Sequence, residues 1–197
     1  MGYDRLDKQF AFIRELDKEK QIGRQSYLCD ASRKENDAEH AWHAAVMAVL
    51  LSEYANEDID VLKTVTMILM HDVVEIDAGD TYAYDEEGKK TQRQREECAA
   101  NRIYGLLPKD QRDKLRNLWE EFEEARTPEA KFARTMDNIQ PLVLNDATDG
   151  KAWKEHGIRL SQILARNVNT AKGSKELWDY AKEHWIDENV KKGNIIE

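Results

Sequence analysis

Three short stretches of this chain place polar, metal-ligating or proton-transferring side chains where a helix should bury apolar ones. In VLKTVTMILMHDVVE (Val61–Glu75), Val61, Val65 and Ile68 recur at helical spacing, and the same stripe continues to Asp72 and Glu75. His71 is the next residue round the helix. A carboxylate on a core-facing stripe is costly unless it is paired or binds a cation. The pair therefore reads either as a metal site or as a hydrogen-bonded structural His-Asp pair. In ENDAEHAWHAAVMAVLLSEYA, His40 shares a face with Ala44, Met47 and Leu51, as either a satisfied core histidine or a ligand. His43, three residues on, reads as structural or as support for its neighbours. In AKFARTMDNIQPLVLN, Asp137 lies on the buried face marked by Ala133, Met136, Gln140 and Leu144. Pro141 cannot donate to the Asp137 carbonyl, so a kink or loosening is expected there.

The elements that must position these groups read as helical nearly throughout. With only three prolines and nine glycines, the apolar spacing gives helices near 4–20, 36–56, 59–75, 90–106, 108–125, 128–147, 153–167 and 174–190. Alternating strands are not evident, and the fold class expected is all-α. Asn36 and Asp37 offer an N-cap, Pro108 and Pro128 fall where a first turn tolerates proline, and Asp149-Gly150 marks a stop. The exception is IDAGDTYAYDEEGKK (Ile76–Lys90), which reads as a loop leaving the end of the His71 helix. Residues 1–150 are expected to form the main domain. Residues 151–197 form a C-terminal helical extension packed on it through Trp153, Trp178 and Trp185.

Bulk properties narrow the partners. The 197 residues carry a net charge of -9, which disfavours long nucleic acids and leaves room for a small anion bound by a local cluster of cations. A mean hydropathy of -0.80 and the lack of any apolar run near the roughly 20 residues of a spanning helix argue against a membrane. The opening MGYDRLDKQF does not read as a secretory signal, and two cysteines, Cys29 and Cys98, are too few for a disulfide framework; a reducing cytoplasm is expected.

The order His40, His71-Asp72, Asp137 resembles the H…HD…D signature of the HD-domain superfamily of metal-dependent phosphohydrolases. RKENDAEH (Arg33–His40), HDVVEIDAGD (His71–Asp80) and LLPKDQRDKLRNLWEEFEEARTPEAKFARTMD (Leu106–Asp137) are similar to its 5'-deoxynucleotidase group, over roughly residues 8 to 148. The resemblance implies an HD-domain helical bundle in which His40, His71, Asp72 and Asp137 hold one divalent metal ion. Such a set suits Co, Mn, Mg, Zn, Ni or Fe. It implies Glu75 and Asp80 as catalytic acid/base groups, with a hydrogen-bonding partner of a histidine and a turn residue as their plainer alternatives. Arg24 and Arg33 are implied as substrate-binding, and Lys131 reads either as a third such cation or as a surface salt bridge. Relatives often have a second arginine where this chain has Cys29. The implied activity is hydrolysis of (deoxy)nucleoside 5'-monophosphates by a homodimer, with an HD-fold phosphodiesterase or a non-catalytic nucleotide-binding regulator as alternatives. The absence of histidine between His71 and His156 favours a single metal.

Overall fold

The computed structural model describes residues 2–197. Helix α1 (Asp4–Leu16) tightens into a 3-10 turn over Asp17–Gln21, and a hairpin follows, β1 (Gly23–Tyr27) against β2 (Lys34–Asn36). Then come α2 (Asp37–Leu51), α3 (Val61–His71), a 3-10 turn over Asp72–Val74 and α4 (Glu75–Ala78). After them run α5 (Glu86–Tyr104), α6 (Lys109–Glu124) and α7 (Pro128–Ala147). The chain closes with α8 (Lys151–His156), α9 (Leu160–Arg166), α10 (Lys175–Ala181), a wide helical turn over Lys182–Ile186 and α11 (Asp187–Lys191). The expected helical bundle is present, and no helix among the described residues is long and apolar enough to cross a membrane.

The central packing is α2 against α3 and α7. Ala44, Ala45 and Ala48 on α2 are buried, and their small side chains let the neighbouring helices approach closely around Met67, Ile68, Phe132 and Met136. A second cluster joins Val73 and Val74 to Ala99, Ile103 and Tyr104 of α5 and to Trp119 of α6. A third packs Trp153, Ile158 and Ile163 on Leu142 of α7, so the C-terminal segment shares a core with the helix that carries Asp137.

Four details differ from the expectations. The antiparallel hairpin was not expected, because GRQSY and KEN are polar throughout, with no alternation to betray a buried face. Its inward side chains, Arg24 and Glu35, face other charged groups rather than a core. On α3 the buried face is Thr64, Met67, Ile68 and His71, whereas Val61 and Val65 are half-buried. Helix α5 begins at Glu86, earlier than expected, because Asp85 caps it by accepting from the Glu87 and Gly88 N–H groups. The expected helix over 153–167 is two helices, since Gly157 has φ 58° and ends α8. Helix α7, in contrast, continues through Pro141 to Ala147.

Helix α2 is fixed in place by a capping box. The Asn36 side chain accepts from the Glu39 N–H at 3.0 Å, and the Glu39 carboxylate accepts from the Asn36 N–H at 3.1 Å. Asn36→Ala removes the cap and is expected to cost about 1 kcal/mol of stability, read as a lower midpoint in denaturant unfolding. An unchanged midpoint contradicts this assignment of the α2 start.

Candidate metal centre and cavity

Each implied ligand is held by a different local device. His40 lies one turn into α2, fully buried, and His71 is the last residue of α3. Asp72 and Glu75 then fall three residues apart where the backbone tightens to 3-10 winding, which stacks side chains at that spacing on one face. Asp137 comes from the middle of α7. The ligand atoms of His40, His71 and Asp72 lie within 4.8 Å of one another. An Asp137 oxygen (Oδ1) is 3.2 Å from His40 Nε2 and 3.6 Å from His71 Nε2.

The imidazole tautomers follow from what holds the far side of each ring. His71 Nδ1 is 2.7 Å from the Ile68 carbonyl, which can only accept, so Nδ1 carries the hydrogen. His40 Nδ1 is 2.8 Å from Gln140 Oε1, whose amide is oriented by Nε2 donating to Glu35 at 2.9 Å. Both Nε2 atoms are therefore bare lone pairs in the neutral rings. Yet each faces carboxylate oxygen, His71 Nε2 at 3.0 Å from Asp72 and His40 Nε2 at 3.2 Å from Asp137. Lone pairs pressed together in a buried site repel unless a cation lies between them. His71 Nε2 has no hydrogen-bond partner. Two imidazole nitrogens and two carboxylates are a donor set that fits a divalent cation, with the outer hydrogen bonds of each ring already satisfied.

The electrostatics show the same demand for positive charge, which a cation meets for both rings or a second proton meets on His71 alone. Burial opposes charge on His71, but Asp72 and Asp137 outweigh it and raise its pKa well above the ordinary value. Burial also opposes ionisation of Asp72 and Asp137, yet the histidines and nearby arginines hold both below the usual carboxylate range. His40 is lowered by burial and then by Arg24. The other acids go the opposite way: burial and the charges of Asp72 and Asp37 raise Glu75 well above the ordinary range, and burial raises Asp80.

Beside the centre opens a cavity of about 590 Å³, lined in part by Arg24, Asp72, Glu75, Asp80, Asp137 and Arg166. Arg24 reaches Asp72 at 2.8 Å and Asp37 at 3.2 Å, with Glu35 at 3.7 Å. The structure thus brings together seven of the nine anticipated residues: His40, His71, Asp72, Asp137, Glu75, Asp80 and Arg24. The other two lie outside this cavity. Arg33 is exposed and gripped by Glu39, one turn into α2, at 2.8 Å. Lys131 pairs with Glu57 at 3.2 Å, because six residues along a helix turn it about 120° away from Asp137. His43 is no ligand; its Nδ1 lies 3.2 Å from Gln140, behind His40. Asp37, Glu35 and Arg166 were not anticipated. The first two lie inside the quoted motif run, where nothing but their burial distinguishes them, and Arg166 comes from beyond it.

Glu19, in the 3-10 turn after α1, is a buried carboxyl that none of these contacts satisfies; burial, with Asp72 and Asp37, raises it from 4.5 to about 8. A raised acid stabilises the fold fully below its unfolded value and loses that contribution as pH climbs to the folded one. Glu19→Gln should therefore gain thermal stability relative to wild type between pH 4.5 and about 8. A difference in melting temperature that does not change across this window refutes it.

Comparison with known proteins agrees with this geometry. A family model described as HD domain matches residues 16–178. The 5'-deoxynucleotidase HDDC2 of Homo sapiens is 32% identical over 186 residues, covering 84% of this chain and 89% of that protein. The Mus musculus protein of the same name is 31% identical, over 84% of this chain and 92% of its own length. The crystal structure of a protein from Magnetospirillum magnetotacticum MS-1, named a predicted metal-dependent phosphohydrolase, superposes with a TM-score of 0.94 at 44% identity, covering 98% of this chain and 97% of that one. A Pyrococcus furiosus protein shares the fold, with a TM-score of 0.64 at 21% identity. On the family match, the sequence identity and the paired histidines and aspartates together, this chain belongs to the HD-domain family of metal-dependent phosphohydrolases.

Proposed function

We propose that this protein hydrolyses deoxynucleoside 5'-monophosphates to nucleoside and phosphate, using one divalent metal ion. The observation that carries the reading is the pair of bare imidazole nitrogens turned onto two carboxylates at the wall of a nucleotide-sized cavity. The relatives named 5'-deoxynucleotidase supply the substrate class. His40, His71, Asp72 and Asp137 would hold the ion. When bound there, a divalent cation would supply Lewis acidity, polarising the phosphoryl group and making water easier to deprotonate.

The remaining steps belong to side chains. Glu75 takes the proton of the attacking water; burial, with Asp72 and Asp37, raises its carboxyl well above the ordinary range, which strengthens it as a proton acceptor. As the new oxygen–phosphorus bond forms and the bond from phosphorus to the 5'-oxygen breaks, Asp80 gives its proton to that oxygen. Burial raises Asp80 as well, which favours the protonated form this step needs. Arg24 answers the second group of acids, Asp37, Asp72 and Glu75, with a guanidinium. That leaves no need of a second metal.

The protein works in the cytoplasm, as a homodimer. Free thiols at Cys29 and Cys98 suit a reducing compartment. Trp42, Val49 and Leu50 of α2, with Leu62 of α3, leave an exposed apolar face suited to pairing with a second copy. Light scattering should give twice the 22.9 kDa chain mass, and a monomer at micromolar concentration rejects the dimer.

Chelator-stripped protein should release no phosphate from deoxynucleoside monophosphates and should regain activity with Co, Mn or another divalent ion. Asp72→Ala should lose both metal and activity. Glu75→Gln should keep the metal yet lose roughly a hundredfold or more in kcat. Turnover by stripped protein, or a Glu75→Gln variant with full kcat, overturns the mechanism.

A further inference from the structure

A phosphate monoester must enter this cavity past Asp72, Glu75, Asp80 and Asp137, so it needs positive charge that is not already neutralised. Most cations at the wall are spoken for. Arg24, with 14% of its side chain exposed, is held against three carboxylates. Arg93 pairs with Glu97 at 2.5 Å and lies over the Trp119 ring. Arg134 pairs with Glu123 at 3.2 Å and lies over Phe122. Lys89 pairs with Glu86 at 2.8 Å. Arg166 differs. Its one partner among the described residues is the second oxygen of Asp137, at a loose 3.4 Å, and 36% of its side chain is exposed.

We infer that Arg166 is a phosphate-binding residue of the active site, delivered by the C-terminal segment; the inference rests on the reading of the cavity as a monophosphate site. Asp137 stands between the two functions. Its Oδ1 faces His40 Nε2 at 3.2 Å, and its Oδ2 faces the Arg166 guanidinium. A phosphate oxygen drawn to the metal centre is therefore beside a guanidinium with donors to spare, and that planar fork suits two phosphate oxygens at once.

The position of Arg166 is held independently of that contact. Asn138, the residue after Asp137, donates to Thr170 Oγ1 at 3.0 Å, and Thr170 Oγ1 donates to Asn167 Oδ1 at 3.0 Å. Asn167 in turn donates to the Ile163 carbonyl at 2.9 Å. This buried chain of side chains ties the end of α9 to the turn of α7 that carries Asp137. Ile163, fully buried in the cluster with Leu142, anchors α9 one turn before Arg166. Such support fixes a side chain relative to a metal ligand, and a freely solvated surface arginine has no such need. The segment after residue 150 is then part of the site as well as a packing element.

The test uses metal-loaded protein and three variants: Arg166→Met, Arg166→Gln and Arg166→Lys. Four quantities are measured: KM for deoxynucleoside monophosphates, and dissociation constants for inorganic phosphate, for deoxyadenosine and for the metal. Arg166→Met and Arg166→Gln should each raise KM and the phosphate constant about tenfold, with Arg166→Lys restoring part of the loss. Deoxyadenosine, which has no phosphate, should bind unchanged, and metal affinity should stay within about threefold. Phosphate affinity kept within about twofold of wild type overturns the inference. So does a loss of metal in proportion to the loss of phosphate, since that makes Arg166 only a prop for Asp137. If wild type turns over no monophosphate while the variants still lose inorganic phosphate, the substrate reading fails and the anion site stands.

Discussion

Two imidazole nitrogens, without hydrogens of their own in the neutral rings, are pressed against two carboxylates inside this protein, and the demand for positive charge between them organises everything around it. It arises because the far side of each ring is already committed, His71 to the Ile68 carbonyl and His40 to Gln140. A hydrogen-bonded His-Asp pair, the structural alternative, directs a hydrogen from Nε2 towards the carboxylate, as a second proton on His71 would do in the absence of a cation; in the neutral rings the hydrogens point away. The centre therefore calls for positive charge, and its two imidazoles and two carboxylates fit a divalent cation. Placing the candidate ligands on α2, on α7 and at the end of α3 with the turn after it makes the buried packing of these helices the frame that holds this geometry.

The acids around the centre divide by environment into two kinds. Asp72 and Asp137, beside histidines and guanidinium groups, stay ionised, as metal ligands must be. Glu75 and Asp80, in contact with fewer cations, are raised and can hold or release a proton. Burial alone would raise all four. What separates them is the neighbouring positive charge, and the tight turn at Asp72–Val74 puts a member of each kind three residues apart on one face.

Much of the site was legible in the sequence because helical periodicity converts residue spacing into direction. His40, Asp137 and the His71-Asp72 pair stand out as polar groups on apolar faces, and the motif order joined them into one site. Periodicity also has limits. It assigned the stripe on α3 to Val61 and Val65, whereas His71 itself lies on the buried face with Thr64 and Met67. It could not see the hairpin, whose inward residues are charged because they serve Arg24 and its partners. Arg33 and Lys131 show that a basic residue near a motif is no guide to where its charge is spent: each has an acid closer to hand. Arg166 was invisible for a different reason. It meets Asp137 only through tertiary contacts 29 residues away in the chain, and no local pattern marks it.

The central claim is the composition of the metal's surroundings, and X-ray absorption spectroscopy of the cobalt-loaded protein reads it directly. The account predicts two imidazole ligands per ion with oxygen donors completing the shell, no sulfur, and one ion per chain. A spectrum with no imidazole scattering, or one requiring sulfur, contradicts it.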